Sequence, residues 1–305
     1  MDFVTVCFHK DLPQMKLQAR SLDRFLNDFP VGQILIVVND DFSSSKDYLE
    51  TQVLDHYGSL RNKVRIVNGR DVIEPHHDNY FNQMLLKIMS VNLVTDEHYC
   101  ILDAKNFLTA EWQLDDVYDD LGRLRATYSD LQDQWKDGSR KSFDFFDLDY
   151  SQYTKVLQHT PFFVHSDIIR KLANTDNFVA TFKNNMLVEF PMIQAATIAE
   201  HGSFESKYWI DYRNDEYEDF RIRYASCIWI IDAELINDPI EGYETLEWKM
   251  LYSENKILSS GIHRACFNVF NKENEEKLKS IWERLGIMDR SDSESIIAEM
   301  KLLNP

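Results

Sequence analysis

The sequence predicts an α/β protein whose central sheet is mostly parallel and flanked by helices. Three observations carry that expectation. Apolar runs of strand length alternate with segments of helical period through the first third of the chain. The 305 residues are 44% hydrophobic, enough for a sizeable core. With only 9 Gly and 7 Pro, little interrupts the regular elements, and long flexible linkers are not expected.

In order along the chain, FVTVCF reads as a first strand, and Pro13 opens a helix through Met15, Leu17, Leu22, Phe25 and Leu26 that ends near Pro30 and Gly32. QILIVVN is a second strand, DDFSSS its loop, and KDYLETQVLDHYG a helix closed by Gly58. KVRIVNG is a third strand, NYFNQMLLKIMSVNLV a helix, and HYCILDA a fourth strand. Strands joined by helices of this length form βαβ units and so a parallel sheet. Further on, LDDVYDDLGRLRATYSDLQDQW looks helical and acidic, and GSRKSFDFFDLDYSQYTK an aromatic-rich loop. TPFFVHSDIIRKLA reads as a strand and a helix capped by Ser166 or Asp167; EFPMIQAATIAEHG is a helix with Pro191 in its first turn. SCIWIID and KILSSGIHRACF read as strands, and KENEEKLKSIWERLG and SESIIAEMKLL as closing helices. No internal repeat is visible. The chain reads as one domain over 1–305, with a ligand-binding half in 1–110 and a second half in 111–305.

A net charge of −18 argues against nucleic acid as a partner, because phosphate-backbone affinity rests on clustered Lys and Arg. Any anionic ligand must be met by a local basic pocket. The start MDFVTVCFHK lacks a basic region followed by an apolar one, and no stretch approaches the length of a membrane span, so a cytoplasmic protein without a transmembrane segment is expected. Cys7, Cys100, Cys227 and Cys266 lie far apart in apolar contexts and read as reduced core thiols.

In an open parallel sheet, ligands bind beyond the carboxyl ends of the strands. Those ends carry His9, Lys10 and Asp11; Asn39, Asp40 and Asp41; Asn68, Gly69, Arg70 and Asp71; and Asp103, Lys105 and Asn106. Each taken singly reads equally well as a solvated turn; together they are more informative. Gln83 and Lys87, four residues apart, share one face of the helix before the fourth strand. A lysine within MLLKIM either snorkels along the surface or reaches an anion, and alone its setting favours snorkelling. The chain lacks GxGxxG after the first strand and GxxxxGK[ST], which weakens Rossmann dehydrogenase and P-loop readings, and it lacks GxSxG and HExxH, so nucleophile-elbow and zincin readings have no support.

VTVCFHKDL, LIVVNDD, FNQMLLKIM and YCILDAKNF, followed by HTPFFVHSDIIRKL, VEFPMIQAATIAEHG and GIHRACF, resemble the DUF6492 family of GT-A-type glycosyltransferase-like proteins over roughly residues 3–285. The resemblance implies a GT-A fold, a nucleotide-sugar donor, a glycan acceptor and a place in polysaccharide biosynthesis. It also implies a divalent cation, Mn²⁺ or Mg²⁺, held by an Asp-x-Asp motif and a late histidine. By position, Asp103 matches the first acid and His263 the histidine, while Lys105 stands where the second acid belongs. Unit charges 4 Å apart interact by about 4 kcal/mol at an effective dielectric near 20, so an ammonium beside a dication turns a favourable interaction unfavourable. A metal-independent donor site is therefore the favoured expectation, with Lys105 meeting the diphosphate directly.

Leaving-group charge would be stabilised by Lys105, Lys87, His263 and Arg264. His9, Asp11, Asn39, Asp40, Gln83, Asp103 and Asn106 complete the expected substrate-binding set. Glu189, matching the family's Ser-Glu helix start, is the candidate base; an acid complementing a helix N-terminus is the plainer alternative. Asp144 and Asp147 are weaker alternatives. On a regular strand His263 and Arg264 would face opposite sides, and only one would line the pocket. His76 and His77 read as a solvated turn rather than a metal site. A catalytically inactive GT-A-like protein that binds a nucleotide sugar or glycan is the competing reading, and a nucleotidyltransferase would want a second acid that this strand end does not offer.

Overall fold

A computed structural model describes residues 1–75, 78–126, 128–130, 135–153, 155–157, 160–210, 227–230 and 257–303. The first half follows the predicted alternation: β1 (Asp2–Cys7), α1 (Leu12–Phe25), β2 (Ile34–Val38), α2 (Phe42–Tyr48), β3 (Val64–Asn68), α3 (Asn79–Met89) and β4 (His98–Asp103). After β5 (Asn106–Leu108), β6 (Leu124–Ala126) and β7 (Tyr128–Asp130) come α4 (Lys136–Asp144), β8 (Lys155–Leu157) and β9 (Phe162–His165). The chain continues through α5 (Ser166–Ala173), α6 (Phe178–Asn185), α7 (Glu189–His201), β10 (Tyr208–Ile210), β11 (Cys227–Ile230) and β12 (Ser259–Ile262). Helices Lys272–Arg284 and Arg290–Leu303 follow.

The main sheet has the order β3-β2-β1-β4-β9, parallel except for β9. β1, β2 and β9 are buried throughout, as the apolar runs require when both faces of a sheet are covered. The chain winds outward from β1 through β2 to β3 and then returns to the other side of β1 as β4. This reversal is the topological switch point, and right-handed crossovers put α1 and α3 on opposite faces. α1 accordingly packs on β5 and the C-terminal helix, whereas α3 packs on β1 and against α5, α6 and α7. A second sheet, β11-β12-β5, runs on directly from the end of β4.

Four expectations change. DDFSSS is not a loop: Asp41 accepts a hydrogen bond from the Ser43 N–H and starts α2 there. The predicted helix over 114–135 is, in its described part, one short 3-10 helix (Leu114–Asp116), a turn and short strands. Asp119 accepts from the N–H groups of Leu121 and Arg123, Gly122 takes a positive φ of 73°, and Leu124 pairs with Lys207. The stretch read as an aromatic loop from 138 contains most of α4. A Cβ on Gly138 would lie 2.6 Å from Val188 Cγ2, so that glycine serves close packing rather than a turn. Finally, α5 takes no side-chain cap from Ser166, whose hydroxyl donates instead to the Asp96 carbonyl.

Cys7, Cys100 and Cys266 are buried free thiols. Among the described residues, no helix is long and apolar enough to cross a membrane. His76 and His77 lie outside the described residues.

Candidate functional site

The switch point opens into a cleft of about 330 Å³ beyond the carboxyl ends of β1 and β4. Hydrogen bonds between strand ends give it its shape. The His9 N–H donates to Asp40 Oδ2 at 2.5 Å and its ring nitrogen lies 2.9 Å away, joining the segments after β1 and β2. Asn39 donates to the Asn79 carbonyl at 2.8 Å, joining β2 to the start of α3. The turn between β4 and β5 is held by Asn106, whose Oδ1 accepts from the Asp103 N–H at 2.8 Å and the Thr160 hydroxyl at 2.6 Å. From α1, Gln18 donates to the carbonyls of Asp103 and Asn106. Ala104 and Lys105 form the tip of this turn and face the cleft.

Beneath the floor lies a buried ion triad. Lys87 Nζ, on α3, is 2.8 Å from Asp103 Oδ1 and 3.0 Å from Glu189 Oε1 at the start of α7, and 5.0 Å from the Phe190 ring centroid. Burial opposes its charge, but Asp103 and Glu189 outweigh burial and raise its pKa. Burial would likewise raise the Asp103 carboxyl, yet Lys87 and then Lys105 hold it down at about 2. Lys105 Nζ sits 3.7 Å from Asp103 Oδ2, so each carboxylate oxygen faces an ammonium.

Above the floor the charges differ. Burial raises Asp11 to about 7 against the lowering fields of Lys105 and Arg264, with Asp103 adding to the rise. Arg264 Nη1 lies 3.9 Å from Asp11 Oδ1, and the guanidinium sits 4.8 Å from the Phe8 ring centroid. Partial burial, Lys105 and Arg264 lower the pKa of His263, so the ring is held neutral. β12 ends at Ile262, whose carbonyl accepts from Gln14 Nε2 at 2.7 Å, and a turn follows. The alternation of a regular strand stops there, and both His263 and Arg264 line the cleft, contrary to the expectation that only one could.

Of the residues singled out in the sequence, Asp11, Asn39, Gln83, Asp103, Lys105, His263 and Arg264 meet in this cleft. Lys87 is buried rather than snorkelling, and it lies with Glu189 and Asn106 below the floor. Asp40 lines an adjoining pocket of about 270 Å³ together with Asn39, Arg70 and Asn79. Asp144 pairs with Arg140 on an exposed face, and Asp147 is exposed in a turn with φ of 55°. The sequence reading missed Gln14, Asn79 and Tyr80. Gln14 lines the cleft with a buried amide oxygen that has no hydrogen-bond partner. Asn79 and Tyr80 precede Gln83 by four and three residues, a helical spacing that could have revealed them.

The residues present do not fit a divalent cation. The Asp103 oxygens both face ammonium groups, His263 stands between a lysine and an arginine in charge, and no cluster of three or more His, Cys, Asp or Glu occurs among the described residues.

The model of a family of unknown function, DUF6492, matches residues 5–189, more than half of the chain. The chain belongs to the DUF6492 family. No curated protein matches its sequence. Among solved structures, this DUF6492 chain is similar to galactosyltransferase LgtC in complex with donor and acceptor sugar analogs. That likeness has a TM-score of 0.50 at 12% identity and covers 93% of this chain and 100% of LgtC. An active-site mutant of LgtC matches with a TM-score of 0.51 at 11% identity, covering 95% and 98% of the two chains. These likenesses show the fold: the DUF6492 chain has the GT-A-type arrangement of a mostly parallel sheet flanked by helices.

Proposed function

We propose that the protein is a glycosyltransferase that moves a sugar from a nucleotide-sugar donor to a glycan acceptor without a divalent metal ion. The observation that carries this reading is the cationic group Lys105 and Arg264 at the switch-point cleft of a GT-A fold, beside an Asp103 whose charge Lys87 already balances. Lys105 and Arg264 receive the donor diphosphate and stabilise the charge that grows on the leaving group. Displacement at the anomeric carbon passes through an oxocarbenium-like transition state. Asp11, which lines the cleft and is not held by Lys87 as Asp103 is, is better placed than Glu189 to take a proton from an acceptor hydroxyl.

The test is turnover of nucleotide sugars by purified protein, with chelator and then with added Mn²⁺ or Mg²⁺. Turnover is expected to be the same in all three conditions. Loss with chelator and recovery with metal overturns the metal-free site. The burial of Glu189 against Lys87 favours one second reading, a catalytically inactive nucleotide-sugar or glycan binder, for which donor binds and is never turned over.

Asp11 gives the site a pH dependence of known sign. Its folded pKa, about 7, is above the ordinary carboxylate value, so it is neutral below that pH and becomes an anion as pH rises through it. The new charge opposes a diphosphate, and donor affinity is expected to fall about tenfold from pH 6 to pH 8. A nucleotide sugar is the right probe, because its diphosphate is esterified at both ends and does not itself titrate there. Calorimetric titration should show the fall in the parent protein and a flat profile in Asp11→Asn; an unchanged slope in the variant removes Asp11 from the cause.

A further inference from the structure

The cleft is chemically two-sided. Its cations, Lys105 and Arg264, come from the β4 turn and the segment after β12. The α3 side contributes only uncharged groups: the amides of Asn79 and Gln83 and the ring of Tyr80. Tyr80 is a large aromatic side chain left 49% exposed where it lines the cleft. It is nevertheless held in place, stacked on Trp135 with centroids 5.6 Å apart and planes at 20°. Its hydroxyl lies in the field of Glu189, Lys87, Asp103 and Asp78, three carboxylates against one ammonium.

A fixed aromatic face bordered by amides suits the alternating C–H face and equatorial hydroxyls of a pyranose ring. With Asp78 counted, the acids around that hydroxyl outnumber Lys87 and Lys105 together, and this net negative charge disfavours a carboxylate on the ring. We propose that Tyr80, with Asn79 and Gln83, forms a subsite for an uncharged sugar ring that excludes uronic and other anionic sugars. The donor half of this proposal rests on the transferase reading. The ring could arrive as the donor's own sugar or as part of a free glycan, and the chemistry it meets is the same.

The experiment measures calorimetric affinities in two arms. The first compares UDP, GDP, ADP and dTDP with UDP-glucose, GDP-mannose, ADP-glucose, dTDP-glucose and UDP-glucuronic acid. The second uses the neutral oligosaccharides maltotriose and cellotriose. In the first arm, a hexose conjugate is expected to bind about tenfold more tightly than its parent nucleotide, the increment of one or two net hydrogen bonds plus ring contact. Tyr80→Ala should remove that increment and leave the parent nucleotide's affinity intact, Gln83→Ala should reduce it, and glucuronate should gain nothing. Thermal melting confirms that the variants, altered at exposed and half-exposed positions, remain folded.

Increments that survive both substitutions, or a glucuronate that gains as much as glucose, overturn the subsite. If no nucleotide binds but an oligosaccharide does, and Tyr80→Ala abolishes that binding, the subsite stands as a glycan site and the transferase reading falls. Binding in neither arm overturns both.

Discussion

Replacing Lys87 by methionine is expected to lower the melting temperature by about 10 °C, the largest stability loss of any single substitution around the site. Lys87, Asp103 and Glu189 are all buried, and the lysine lies within 3.0 Å of both carboxylates. Methionine fills much of the same volume, so the loss comes from charge: two carboxylates remain buried with only Lys105, 3.7 Å from Asp103, to answer them. Removing one partner of such a group costs about 3–5 kcal/mol, because burial penalises the charge left behind. The sign of the pH dependence follows. In the variant the Asp103 carboxyl is no longer held down by Lys87 and burial raises it, so stability is present at low pH and is lost as pH rises through the raised value. The deficit relative to the parent should be smaller near pH 4 than near pH 8. Glu189→Gln keeps the Lys87–Asp103 pair and should cost far less. A Lys87→Met protein that melts within 2 °C of the parent at pH 8, measured by differential scanning calorimetry, removes the triad as a structural element.

The triad also shows where the sequence stops being readable. MLLKIM cannot reveal whether its lysine meets an anion, because Glu189 is 102 positions away in the chain. The strands and crossover helices of the first hundred residues were readable for the opposite reason. A strand buried on both faces must be a continuous apolar run, and a crossover helix must show its period. The polar residues that close those runs were readable too, which is why Asp11, Asn39, Asp103 and Lys105 could be gathered before any geometry was known.

Errors arose where long-range contacts override local pattern. Gly138 looks like a loop residue but sits in α4, where Val188 leaves no room for a Cβ. Residues 114–130 look helical, yet Asp119 and Gly122 turn the chain so that β6 can pair with β10. His263 and Arg264 were separated by assuming that β12 continues through them; it ends one residue before His263, at the carbonyl that Gln14 binds.

Lys105→Ala is expected to cut turnover of a nucleotide sugar by about 10²–10³-fold with no measurable change in melting temperature, the opposite split from Lys87→Met. The Lys105 side chain is 28% exposed, and its contact with Asp103 is long for an ion pair, so its loss leaves no buried charge without an answer. Its ammonium is nevertheless the one cation that the β4 turn presents to the cleft, at the position where the family resemblance calls for a metal-binding acid. Lys105→Arg keeps the charge but moves and broadens it, and should retain part of the activity.

Asp103→Ala cannot serve as the same test. It removes one of the two carboxylates that answer buried Lys87, so lost activity would report lost structure. The decisive comparison is therefore Lys105→Ala against the parent at equal melting temperature. Full turnover in that variant would mean that Arg264 suffices for the diphosphate. The lysine in place of the second acid would then mark only the loss of a metal, with no gain of function in its stead.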